Sequence, residues 1–159
     1  MLWWFRRRKI PERLTVEAAE GALLFSEANP PRADVVPVEP REGWAVLIWD
    51  YRLPAGFNCP TTHLMVLLPR EYPVVPPDWF FVNRGLRDAR GRSLPHYFEK
   101  NWPAALAPTL PANRGWAAGC LHVRPGTWRP HVDPFSGHRL STYLEIIQRA
   151  LAEWIQRET

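Results

Sequence analysis

Lysine is nearly missing from these 159 residues: Lys9 and Lys100 stand against 18 arginines. Cysteine is as scarce, with only Cys59 and Cys120. Two cysteines do not build a disulfide framework, which points to a reducing compartment. No apolar run approaches the ~20 residues of a membrane span. The opening MLWWFRRRKI puts its apolar residues before its charges, the reverse of a signal peptide. A soluble, cytoplasmic protein with no membrane partner is the expectation. Glycine-rich phosphate loops, paired catalytic carboxylates and a G-x-S-x-G elbow are all lacking. Cys120, His122, His131 and His138 are metal-ligand types, but their C-x-H…H…H spacing fits no standard zinc pattern. Neither metal nor cofactor is expected.

The net charge is a mild +4. Only Arg6, Arg7 and Arg8 cluster, which is not the basic face with interleaved aromatics that nucleic acid requires. The arginine bias has a bland source in a GC-rich genome. It would also spare a protein that carries acyl groups from attack by its own amines.

What is present suits a packed domain: 46% hydrophobic and 23% charged residues. The 18 prolines are scattered among apolar runs, so they read as rigid connections and not as a disordered tract. Residues 1–10 form a tail or short helix, and 11–159 a single domain. PERLTVEAAEGALLF, from Pro11, suits a helix opened by proline and acids. A strand over Ala33–Val38 is expected at a sheet edge because of Pro37. GWAVLIWDYRL (Gly43–Leu53), THLMVLL (Thr62–Leu68) and DWFFV (Asp78–Val82) read as strands joined by turns. From Asn83 to Gly119 there is little pattern, beyond a possible turn of helix in HYFEKNWPAALAP (residues 96–108). Near the end, Leu140, Leu144, Ile147, Leu151 and Trp154 recur on one helical face. Thr142 and Glu145 have capping-box spacing. The expected class is α+β: an antiparallel meander of about four strands flanked by helices, with a C-terminal amphipathic helix.

Two motifs in order carry a resemblance. The first is Pro69, Tyr72, Pro73, Pro76 and Pro77, followed by the strand DWFFV. The second is Cys120-Leu121, then Trp128-x-Pro130, extended as Trp128-Arg129-Pro130-x-x-Asp133. Together they resemble the ubiquitin-conjugating-enzyme superfamily over roughly residues 30–155, and look closest to its bacterial branch. One departure stands out: where eukaryotic members carry His-Pro-Asn, this chain has Pro111-Ala112-Asn113. The resemblance implies a ubiquitin-conjugating-enzyme-like domain. It implies that Cys120 takes a ubiquitin-like protein from an activating enzyme as a thioester and passes it to an amine on an unknown target. Bacterial systems of this kind serve roles such as phage defence.

That chemistry needs an accessible thiolate, an oxyanion donor and a base or acid for the incoming amine. Gly119 leaves room for a partner's tail. In an extended segment His122 shares a face with Cys120. Asn113 is the first oxyanion candidate, with His122 or a backbone N–H as alternatives. His122, His131 and Asp133 are all available for acid–base work. Trp128 and Pro130 are read as packing that shapes the active loop. Cys59 is read as structural or incidental. The aromatic LWWF (residues 2–5) either folds back onto the core, as aromatics at a chain end usually do, or docks the activating enzyme. An alternative reading is a catalytically inactive module that binds a ubiquitin-like protein or activating enzyme without a covalent bond; the missing His-Pro pair favours it and Cys120 opposes it.

Overall fold

A computed structural model describes residues 8–38, 43–99 and 115–157. Helix α1 (Glu12–Phe25) is followed by strands β1 (Ala33–Val38), β2 (Gly43–Arg52), β3 (Thr61–Leu68) and β4 (Trp79–Asn83). After these come β5 (Tyr97–Phe98), β6 (Trp116–Cys120) and helix α2 (Leu140–Gln156). The expected α+β class holds, but among the described residues the sheet has six strands, not about four. They are antiparallel in the order β1-β2-β3-β4-β6-β5. β1 lies at the edge, where the missing N–H of Pro37 does no harm.

The two added strands fall in the stretch without pattern. β6 reads WAAGC and has no β-branched residue, so propensity gives no signal for it. Tertiary packing makes it a strand: it sits between β4 and β5, with Ala117, Ala118 and Gly119 all buried. In HYFEKNWPAALAP, Tyr97 and Phe98 are strand, and residues 100–108 lie outside the described residues.

Both helices cover one face of the sheet. Leu140, Leu144, Ile147, Leu151 and Trp154 of α2 are all buried, against a core that includes Ile48, Leu64, Val66 and Phe80. Tyr51 stacks on Phe25 with ring centroids 5.5 Å apart and donates to the Leu144 carbonyl at 2.9 Å. The start of α2 differs from the expected Thr142–Glu145 box. Thr142 is the third residue of the helix, and its Oγ1 accepts the Arg139 backbone N–H at 3.1 Å. The box begins three residues earlier because the helix starts at Leu140, with Arg139 extended at its N-cap.

A buried carboxylate ties the helices to the proline-rich connection. Glu17 of α1, 1% exposed, accepts the Tyr72 hydroxyl at 2.7 Å and the Leu140 N–H at 3.0 Å. Burial, and then the Glu17 charge, push the Tyr72 phenol up, so it stays a donor.

Candidate active site

Cys120 ends β6, with a strand on each side. Its N–H donates to the His96 carbonyl at 3.3 Å, and the Leu121 N–H donates to the Asp78 carbonyl at 3.1 Å. Cys120 is the register partner of Trp79, so the two side chains share a face of the sheet. The thiol is half-buried.

Three side chains meet here. Cys120 Sγ lies 2.9 Å from His122 Nε2, and His122 Nδ1 lies 3.3 Å from Asp78 Oδ1. A carboxylate facing Nδ1 favours the tautomer protonated there, which turns the Nε2 lone pair toward the thiol. The imidazole and carboxylate are 66% and 53% exposed, so the line opens to solvent along its length. Burial, and then the Asp78 charge, push the Cys120 thiol up. At rest the sulfur therefore keeps its proton, with a base beside it.

Asp78 was missed from sequence, where it is only the first residue of a strand. It reaches His122, 44 positions along the chain, through the pairing of β4 with β6, and no local spacing announces that.

Below the site, Tyr143 of α2 is fully buried and donates to the Leu121 carbonyl at 3.0 Å. It pins the residue between Cys120 and His122. Burial holds its phenol well above the usual range, so it remains a donor.

Trp128 latches the following loop: its indole N–H donates to the Pro73 carbonyl at 2.7 Å, and its ring lies 5.5 Å from that of His138. Pro130 bridges to Gly137 and His138. His131 and Asp133 turn inward to the same loop. His131 Nδ1 accepts the Asp133 N–H at 3.0 Å. Asp133 accepts the Phe135 N–H at 2.9 Å and the Ser136 hydroxyl at 3.2 Å. The Phe135 N–H, first among these, holds the Asp133 carboxyl below its usual range. These bonds give both residues loop-shaping work; His122 is the candidate base that stands next to the sulfur.

Two expectations change and two lie out of reach. Gly119 does not leave room for a partner's tail: it is buried, and the Phe80 ring fills the space beside it. The backbone N–H groups of Cys120 and Leu121 are already bonded to carbonyls, so neither is a free oxyanion donor. Asn113 and LWWF lie outside the described residues. Cys59 sits in the loop between β2 and β3, partly packed on the core, with burial pushing its thiol up. Among the described residues no group of three or more His, Cys, Asp or Glu could hold a metal ion, and no helix is long and apolar enough to cross a membrane.

Residues 34–154, spanning β1 through most of α2, match the prokaryotic E2 family E. No curated protein and no solved structure matches the chain.

Proposed function

The chain belongs to the prokaryotic E2 family E, and from that membership we propose that Cys120 accepts a ubiquitin-like protein as a thioester from an activating enzyme and passes it to an amine. The observation that carries this reading is the line Asp78–His122–Cys120, with contacts of 3.3 and 2.9 Å.

In the first step Sγ attacks the carbonyl carbon of the donor thioester while His122 Nε2 takes the thiol proton. A carbon–sulfur bond forms to Cys120, the bond to the donor sulfur breaks, and the departing sulfur collects the proton from His122. In the second step an amine nitrogen attacks the same carbon. The carbon–nitrogen bond forms, the bond to Sγ breaks, and a proton from the amine returns through His122 to the Cys120 sulfur. Asp78 keeps the imidazole oriented and offsets its charge while it holds the proton. The raised thiol suits this order of events, because attack and deprotonation coincide. His122 and Asn113 are the proposed oxyanion donors. Trp128, Pro130, His131 and Asp133 hold the loop against which the partner's tail lies.

The test is a charging reaction of the full chain with activating enzyme, ubiquitin-like protein and ATP, read by intact mass. An adduct cleaved by free thiol in the wild type, thiol-resistant in Cys120→Ser and absent in Cys120→Ala supports the reading. Saturable binding without any adduct would instead make the chain a non-covalent binding module.

A further inference from the structure

The Cys120 thiol opens on the side of the sheet away from both helices. Side chains alternate along β6, so Ala118 and Cys120 share one face. The apolar cluster on that face holds Ala45, Met65, Phe81 and Ala118, with Trp79 and Trp116 packed at its margin. Among the described residues neither α1 nor α2 contributes to it. An acyl group carried by Cys120 leaves the sheet from this face.

Two aromatic rings stand there. Trp79 of β4 is the register partner of Cys120, and Phe98 of β5 is that of Ala118. β4 and β5 flank β6, which sets their backbones about 10 Å apart. Their rings nonetheless approach to 6.3 Å between centroids, tilted at 54°. They lean toward each other across β6, next to the thiol. Trp79 is half-buried and Phe98 is 39% exposed. Aromatic surface left open to water gains when another apolar group covers it.

Register-paired Cβ atoms lie about 5 Å apart, and an extended peptide advances ~3.3 Å per residue. A tail joined to Sγ through its terminal carbonyl therefore passes the rings one or two residues before its end. We infer that Trp79 and Phe98 select the acyl donor: they form an apolar wall that takes an aliphatic side chain one or two residues before the C-terminal residue of the transferred protein. This rests on the thioester reading of Cys120 and adds to it the chemistry of the tail. The wall belongs to the sheet and is distinct from the loop that Trp128 holds.

Short peptide thioesters test the wall without an activating enzyme. The probes are acetyl-alanyl-X-glycine and acetyl-X-alanyl-glycine, each as its mercaptoethanesulfonate thioester, with X as leucine, glycine, aspartate or lysine. They are incubated with the full-length chain. Sγ attacks the carbonyl carbon, the bond to the donor sulfur breaks, and mercaptoethanesulfonate departs with the thiol proton. Intact mass follows acylation, with Cys120→Ala as the blank and glutathione as the measure of each peptide's own reactivity. In one of the two positions leucine should react about tenfold faster than glycine, and aspartate and lysine no faster than glycine. Trp79→Ala and Phe98→Ala should each bring the leucine-to-glycine ratio near one. The ratio is taken within one variant, so a general change in thiol reactivity cancels. If Trp79→Ala does not fold, Phe98→Ala decides alone. No acylation of the wild type by any peptide overturns the thioester reading, and the wall with it. Acylation without a preference for leucine, a preference for lysine, or a leucine preference that survives in every folded variant overturns the wall alone and leaves the thioester reading standing.

Discussion

The ring of Phe80 lies across Gly119, with its Cε2 atom 2.6 Å from where a Cβ on that residue would stand. The two are register partners in the β4–β6 ladder, and Phe80 is 1% exposed. Neither can yield: Phe80 packs against Trp154 at 6.3 Å between centroids, and β6 is held between two strands. Gly119→Ala should therefore cost about 3 kcal/mol, the upper end for overpacking a core. It should also slow charging, since the neighbouring residue is Cys120. Urea unfolding checks the first effect, and a neutral result would show that Phe80 has another rotamer available.

Asp78→Asn separates two roles of one carboxylate. Burial is the larger cause of the raised Cys120 thiol and the Asp78 charge the second, so removing that charge should lower the thiol pKa. The rate of iodoacetamide alkylation against pH should shift to lower pH. Acyl transfer should nonetheless slow by about 10²-fold, because His122 loses its orienting acceptor. An unchanged urea midpoint must accompany this split, because misfolding would also expose the thiol and speed its alkylation. An alkylation profile shifted to higher pH would mean that Asp78 acts chiefly by keeping His122 charged beside a thiolate.

Trp128→Phe keeps most of the ring and removes one donor. The Pro73 carbonyl, half-buried, then loses the indole N–H that reaches it at 2.7 Å. A cost of about 1–2 kcal/mol is expected, together with faster proteolysis of the segment 124–138. Equal urea midpoints for variant and wild type would dispose of the latch.

The legible part of this fold is the part whose side chains repeat. β1 to β4 alternate apolar and polar residues or carry β-branched runs, and α2 shows its stripe, so each declares itself locally. β6 does not: Ala117, Ala118 and Gly119 are small, and at Gly119 the reason lies elsewhere in the chain, because Phe80 fills the room. Gly119 could be seen as a gap, but not that the gap was already filled from β4. The same logic divides the site. Cys120 and His122 are two apart on an extended segment, so their meeting is a matter of local geometry. Asp78 joins them only once β4 and β6 are paired, and no spacing in the chain encodes that pairing. His131 and Asp133 have the right chemistry but spend it on their own turn.

Acid should loosen the β5 side of the site before the core gives way. The Glu99 carboxyl is held at about 2 by the hydrogen bond from Arg87, 2.6 Å away. Glu99 also accepts the Tyr97 hydroxyl at 3.1 Å and the Gly85 N–H at 3.2 Å, fastening β5 to the turn after β4. An unfolded glutamate titrates near 4.3. The folded value is the lower one, so the stabilisation is complete above about pH 4.3 and disappears as pH falls toward about 2. Each side chain is 26% exposed, and screening keeps the worth nearer ~1 kcal/mol than a dry ion pair would suggest. The stability gap between wild type and Glu99→Gln, from urea midpoints, should be flat from pH 7 to 5 and close below that. The adjacent His96 carbonyl accepts the Cys120 N–H, so freeing β5 should raise alkylation of Cys120 relative to free cysteine over the same acid range. A gap that stays constant down to pH 2 would mean that Glu99 is not ionised against Arg87 in the folded chain.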